Sequence, residues 1–323
     1  MPPAPRTSEP VNAPLRPRVP RRALHGVLLL DKPVGLSSND ALQKAKRLMR
    51  AEKAGHTGTL DLLASGLLPL CFGAATKFSQ ASLDADKRYT ATLRLGQTRA
   101  GGDLEGEVLR ERPVAVDLAA IQTACARFTG PIAQVPPMHS ALKKDGKALY
   151  EYARAGIEVE RTPRQVTIHA IDILAWTPEQ HTLVLDVRCS KGTYIRTLAE
   201  DIGEALGCGA HLSALRRTAS GGLALADAVT LERLAEMTEP ERDACLRRPD
   251  SLLSDRPEVR LPAPEAARFL QGLRRRTALA DADAVRVYGP EPAAFLGSAH
   301  ITAGELIADR LLSPPEVQAL LQS

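Results

Sequence analysis

The sequence predicts an α+β protein. Strand-like and helix-like patterns mix along its 323 residues without the regular strand–helix alternation of a doubly wound sheet. Apolar residues make up 44% of the chain, enough for a sizeable core and more than one domain. Towards the C-terminus the pattern changes to short β-like pieces separated by Gly and Pro.

Taken in order, residues 1–23 are rich in Pro and Arg with almost nothing to pack. They predict a disordered basic tail, either a solvated segment or an arm that touches phosphates. Residues 27–30 are a short apolar run closed by Asp31, Lys32, Pro33 and Gly35, a buried strand leading into a turn. Ser37, Ser38 and Asn39 then offer capping oxygens to a helix. Ala41, Leu42, Ala45, Leu48 and Met49 form its apolar stripe, with Lys44, Lys46, Arg47 and Arg50 mostly opposite. Residues 55–73 hold four glycines and a proline and predict a shaped loop rather than a regular element.

Tyr89, Ala91, Leu93 and Leu95 alternate with Thr90, Thr92 and Arg94, the period of a half-buried strand. Asp117 is placed to cap a helix with Leu118, Ile121, Cys125 and Phe128 on one stripe. Strands follow at 166–175 and 182–189, then a helix from about 194 to 206 closed by Gly207, then a strand at 210–217. Residues 240–264, rich in Pro, Arg and Asp, read as a linker. Beyond them lie β-like pieces at 285–288, 295–299 and 305–308.

A formal charge of +4 and a pI near 8.8 are compatible with nucleic acid without demanding it. The five cysteines form no Cys-x-x-Cys pair, which argues against a disulfide framework and a thiolate zinc site and fits a reducing cytosol. No His-x-x-x-His, His-Glu-x-x-His or calcium-loop pattern occurs, so no metal is expected. No apolar run approaches the roughly 18 residues of a membrane span, and the N-terminus lacks the apolar core of a secretory signal. The expected location is the cytoplasm.

Three residues stand out chemically. Asp61 lies in a glycine-flanked loop, between His56-Thr57 and an apolar run over 62–70. An aspartate in a loop is most often a turn-former or a cap. The glycines, however, permit close approach to another molecule, and the apolar residues after Asp61 would hold its carboxylate against a dry wall. With the ordinary aspartate pKa of about 3.9 it would be ionised at neutral pH, and so a nucleophile rather than an acid. Such a group needs a partner. Arg196, in the first turn of its helix, is unfavourably placed against the helix dipole unless something negative faces it; its plain reading is a solvated arginine. Tyr89 is conspicuous in a chain only 3% aromatic, either as core packing or as a platform for an extruded base.

The segments GVLLLDKPVGLSSNDALQKAKRLM, AGHTGTLDLLASGLLPLCFGAATKFSQ, DKRYTATLRLGQ, PPMHSALKKDGKALYEYARAGIEV and CSKGTYIRTLAEDIGEALGCGAHLSALRR together resemble the TruB family of tRNA pseudouridine synthases, which modify uridine 55 in the T loop. The match covers nearly all of residues 25–220 in the same order. It implies a pseudouridine-synthase-like mixed sheet flanked by helices, and isomerisation of uridine without a cofactor. Carried onto this chain, the catalytic aspartate is Asp61, its pairing arginine Arg196 and the base-stacking tyrosine Tyr89. Tyr194 and Leu215 match residues lining the uracil pocket, and His56 matches a histidine that contacts the displaced RNA loop. Lys32 and Pro33 match a motif whose role is mainly structural.

The chain departs from the family at three places. Leu62 replaces the proline that usually follows the aspartate, which would free the backbone there. In the loop 99–106 only the second of the family's aspartates survives, as Asp103, which would support Arg196 or Tyr194. His139 stands where a tyrosine is usual.

The implied organisation is a tail at 1–23, a catalytic domain at 24–250 and a small β-rich PUA-like domain at 251–323. The last would grip the acceptor stem through Arg260, Arg268, Arg274, Arg275 and Arg276. The expected partner is tRNA, at its T loop and elbow, bound by a monomer. Two rivals stand beside this reading: a tRNA-folding chaperone acting through binding alone, and a relative of the guide-RNA-dependent synthases of ribosomal RNA.

Overall fold

The computed structural model describes residues 20–290 and 294–322, so the tail read at 1–23 falls almost wholly outside the described residues. Strand β1 (Gly26–Lys32) is buried along nearly its whole length. Helix α1 (Ser38–Leu48) starts where the serine cluster predicts, with the Ser37 side chain accepting from the Asp40 amide at 3.0 Å. The stretch 55–73 is not the continuous loop expected from its glycines. It carries the end of β2 (Ala54–His56) and a nine-residue strand, β3 (Ala64–Phe72).

Buried on both faces, β3 shows an apolar run instead of alternation. Its Pro69 fits because the Pro69 carbonyl accepts from the Thr57 amide at 3.0 Å. In an extended chain the nitrogen of the same residue faces the same way. There it meets the gap between the partner that pairs with 64–66 and the one that pairs with 70–72, where no ladder donor is needed.

After α2 (Ser79–Asp84) comes β4 (Lys87–Leu95), followed by the hairpin β5 (Gln97–Arg99) and β6 (Val108–Glu111). Helix α3 (Leu118–Arg127) is capped by Asp117, which accepts from the Ala120 amide at 2.8 Å. Its buried stripe is Ile121, Ala124 and Cys125; Leu118, expected on it, stands in the first turn and is 45% exposed. Strand β7 (Gly130–Gln134) precedes a small hairpin, β8 (Lys143–Lys144) and β9 (Lys147–Ala148), and helix α4 (Leu149–Arg154). Then come β10 (Arg164–Thr177), β11 (Thr182–Cys189) and α5 (Ile195–Ala205), whose end is marked by Gly207 at φ +78°. Strands β12 (Ala210–Ser220), β13 (Leu223–Ala224) and β14 (Val229–Thr230) complete the central sheet.

Among the described residues that sheet has ten strands, in the order β14–β1–β3–β12–β4–β11–β10–β7, with β2 added to β3 and β13 to β12. It is mixed: β1 runs parallel to β14, and β3 parallel to β12. The α+β expectation holds.

Helices α6 (Leu231–Glu236) and α7 (Glu239–Ala244) follow. The stretch 240–264 is no bare linker. It contains most of α7, a 3-10 turn (Pro249–Leu253), β15 (Glu258–Arg260) and the start of α8 (Ala263–Leu270). A capping box between Thr238 and Glu241 starts α7, and Leu252 and Leu253 are buried anchors that its polar composition conceals. Strands β16 (Arg275–Arg276), β17 (Ala282–Tyr288), β18 (Phe295–Thr302) and β19 (Glu305–Leu311) complete a second sheet in the order β15–β17–β18–β19–β16, and α9 (Pro314–Gln322) follows. Among the described residues no helix is long and apolar enough to cross a membrane.

Two apolar cores meet at β1 and β3. Leu28, Leu30, Leu68, Leu70 and Phe72 face the core shared with α1, α3 and α5. The alternate residues Val27, Leu29, Leu67 and Cys71 share a second core with Phe78, which follows β3, and with Val287, Phe295 and Leu306 of the C-terminal part. Period-two alternation in these strands therefore sorts side chains between two cores rather than between core and water.

Candidate active site

Asp61 stands in the short loop between β2 and β3, and the residues on either side of it are tied down. Leu60 exchanges two hydrogen bonds with Ser38: its amide donates to Oγ at 2.8 Å, and Oγ donates back to its carbonyl at 3.2 Å. The Leu62 carbonyl accepts from the Gly35 amide at 2.7 Å. The freedom expected from the missing proline at 62 is thus curbed by a backbone bond to the turn after β1. The Leu62 side chain is 42% exposed, so it forms no dry wall for Asp61. The apolar wall comes instead from Leu60 and from Leu215 on β12.

The arginine partner is where the sequence places it. Arg196 Nε lies 3.0 Å from Asp61 Oδ2, and its Nη1 lies 3.7 Å from Asp103 Oδ2. The guanidinium also donates to the Gly101 carbonyl at 3.1 Å and the His139 carbonyl at 2.6 Å, and its side chain is 5% exposed. Of the two supports considered for Asp103, its carboxylate faces Arg196. His139, despite replacing a tyrosine, contributes through its backbone.

Burial pushes the Asp61 carboxyl above the ordinary aspartate range, with Arg196 pulling it back most strongly, Asp103 adding to the rise and Lys32 opposing it. The expectation of an unperturbed carboxylate therefore needs correcting: its charge depends on its neighbours. Lys32 is fully buried, donating to the carbonyls of Pro33 at 2.8 Å and Leu36 at 2.7 Å. Burial lowers its pKa to about 8, against the attraction of Asp61.

Asp61 lines two adjoining cavities. One, of about 270 Å³, is walled by Tyr89, Tyr194, Arg196, Leu215, Lys87 and Arg217. The other, of about 660 Å³, is a wider cleft that includes His56, Leu62, Asp103, His139 and the α1 cap residues 37–39. Tyr89, Tyr194 and Leu215 thus gather beside the carboxylate, whereas His56 belongs to the outer cleft, its Nδ1 at 3.0 Å from the Gly58 carbonyl. Tyr194 caps α5 and is clamped by the buried Gln134: its amide donates to Oε1 at 3.0 Å, and its carbonyl accepts from Nε2 at 3.2 Å.

Sequence reasoning missed Arg217, Gln134 and Ser38 as parts of the site. Arg217 was within reach: it lies two residues after Leu215 on one strand, and so on the same face. Of the C-terminal arginines, Arg260, Arg274 and Arg275 pair with Glu258, Glu305 and Glu265, and Arg260, Arg268, Arg274 and Arg276 are exposed.

Comparison with known proteins shows the family. Residues 46–195 match the TruB family pseudouridylate synthase N-terminal domain. Residues 196–254 match the tRNA pseudouridylate synthase B C-terminal domain, and 257–312 the pseudouridine synthase II TruB C-terminal region. The tRNA pseudouridine synthase B of Verminephrobacter eiseniae is 58% identical, covering 100% of this chain and 96% of that protein. That of Cupriavidus pinatubonensis is 60% identical over 92% and 96%. Among solved structures, a chain from a crystal structure of a Cbf5-Nop10-Gar1 complex superposes with a TM-score of 0.72 at 24% identity, covering 95% of this chain and 94% of that one. This last likeness concerns the fold.

Proposed function

The chain belongs to the TruB family of pseudouridine synthases and isomerises uridine to pseudouridine in tRNA, and from that premise we propose that its target is uridine 55 of the T loop, with Asp61 as nucleophile. The observation that carries the residue assignment is the Asp61–Arg196 pair, 3.0 Å apart at the edge of a cavity lined by Tyr89, Tyr194 and Leu215. An apolar and aromatic slot beside a charged carboxylate suits a flat, uncharged base taken out of its stack.

In this reading the target uridine leaves the loop at a cost of about a few kcal/mol, and Tyr89 and Leu215 hold the base. The Asp61 carboxylate attacks either C6 of the uracil or C1′ of the ribose. The freed base turns and rejoins through C5, and the C5 proton is lost. Arg196, itself buttressed by Asp103, keeps Asp61 ionised and oriented. Tyr194 is held for its part by Gln134, and Lys32 braces the turn beneath Asp61. The wider cleft, with His56, takes the displaced loop. Residues 251–323 contact the acceptor stem, Arg260, Arg268, Arg274 and Arg276 being the exposed candidates. The protein works as a monomer in the cytoplasm.

The test is to incubate the purified protein with an unmodified tRNA transcript and map pseudouridine. Product at the T-loop uridine is expected, and its absence there overturns the assignment of the target. Asp61→Asn should abolish product; a wild-type rate in that variant removes Asp61 from the mechanism. If the same variant still promotes tRNA folding as well as wild type, the chaperone activity stands as a second function of the binding surface.

A further inference from the structure

Arg217 heads the described residues for side-chain volume sealed from solvent, at 1% exposed. Its Nε donates to the Leu67 carbonyl at 2.7 Å, and Nη1 runs beneath Gly58, 3.4 Å from where a Cβ would stand. Nη2 is buried and meets no acceptor among the described residues. No carboxylate among them forms an ion pair with it; Asp61 and Asp103 are engaged by Arg196 instead. The titratable groups that feel its charge are Lys32, Lys87, His56 and the Tyr89 phenol. Two of those are buried lysines, which add to the positive charge rather than offset it.

An arginine keeps its proton, so a guanidinium buried without a counter-charge is costly to the fold. The side on which a counter-charge can arrive is the base-sized cavity, which Arg217 lines. There it stands directly across the β4–β12 pairing from Tyr89. It also shares a strand face with Leu215.

We propose that Arg217 forms an anion subsite in the floor of this cavity: its guanidinium receives the negative charge that the uracil carries in mid-reaction. The inference rests on the uridine-isomerase reading and extends it. Both routes open to Asp61 create that charge. Attack at C1′ forms a carboxylate–C1′ ester and breaks the C1′–N1 bond, leaving its electron pair on the uracil, spread over N1, O2 and O4. Addition at C6 forms a carboxylate–C6 bond and sends the C5–C6 π pair towards O4. In each case the charge of Asp61 passes to the base and returns when the carboxylate departs. The C5 proton is replaced by one at N1, so no outside reactant is consumed.

The experiment compares wild type, Arg217→Met and Arg217→Lys on a tRNA transcript, reading single-turnover rate at saturating enzyme, Kd for the transcript and folding by circular dichroism. The Met variant should lose about a hundredfold or more in rate, while Kd moves by less than about threefold. The Lys variant should recover at least about tenfold of that loss near pH 7. It should then lose the recovery more steeply than wild type as pH rises past 8, where lysines as buried as Lys32 and Lys87 shed their protons. A Met variant at the wild-type rate overturns the proposal, and so does a Lys variant whose rate is a constant fraction of wild type at every pH. If the Met variant does not fold, the pH curve of the Lys variant decides. Wild type that makes no product refutes the isomerase reading itself; active wild type with unaffected variants refutes only Arg217.

Discussion

Ser38 and Leu60 hold each other across 22 residues of chain, the serine hydroxyl both accepting from the Leu60 amide and donating to its carbonyl. One buried side chain thereby joins the first turn of α1 to the residue before Asp61. Ser38→Ala should cost about 1–3 kcal/mol of stability, because two buried backbone groups lose their partner. It should also lower the isomerisation rate with little change in tRNA affinity. Urea denaturation and single-turnover kinetics check the two halves, and a stable variant with unchanged rate would show that the link does not matter for the loop.

Removing Arg196 should move the acid limb of the pH–rate profile. With Asp61 as the proposed nucleophile, activity should fall as pH drops through its pKa. Burial already raises that pKa, and Arg196 is the strongest opposing influence. Arg196→Met should therefore shift the limb to higher pH and lower the plateau, and Arg196→Lys should do so less, since a point charge cannot reproduce the forked contacts. The measurement is kcat/KM against pH; a limb that stays in place contradicts the pairing.

Lys32 links stability to alkaline pH. Its pKa falls from the ordinary lysine value of 10.5 to about 8 in the folded protein. Below pH 8 the group is charged in both states and the fold carries the full cost of burying it. Between about 8 and 10.5 the unfolded chain binds the extra proton, so unfolding becomes harder as pH rises. Wild type should gain on Lys32→Met across that window by at most about 1.4 kcal/mol per pH unit. Denaturation of both proteins at pH 7, 8.5 and 10 measures it; a constant difference would mean that Lys32 stays charged.

Gly66 should not tolerate a side chain. It lies at φ +99°, and a Cβ there would come within 2.4 Å of the Arg217 carbonyl where β3 meets β12. Gly66→Ala should cost more than about 3 kcal/mol, by backbone strain and clash together. Gly55→Ala, with open space around its Cβ position, should stay within about 1 kcal/mol of wild type. Thermal melts of the pair make the comparison.

What was legible in the sequence follows from how local each signal is. Helix α1 could be read because its cap, its apolar stripe and its end lie within a few residues of one another. Strand β3 could not, since a strand buried on both faces shows no alternation and Pro69 looks like a break until its neighbours are known. The stretch 240–264 misled because its few anchors, Leu252 and Leu253, are outnumbered by polar residues. At the site, Asp61, Arg196 and Tyr89 were suspected one by one, but their meeting depends on β2, β4 and α5 converging, which no single segment encodes. The family resemblance supplied that convergence in advance. It said nothing of Arg217, and the upward pull on the Asp61 carboxyl became visible only with the surroundings in place.

The strands that position Asp61 have no free side. Val27, Leu29, Leu67 and Cys71 turn their backs to the Asp61 cleft and share a core with Phe295 and Leu306, with Phe78 between, so the second sheet is in effect the lining of the first. A cut near residue 250 would strip that lining and lay a greasy surface open to water. The two sheets should then melt together in one transition. Truncation there would undermine the strand on which the Asp61 loop is hung, and shortened proteins of this kind would report on folding before they reported on recognition.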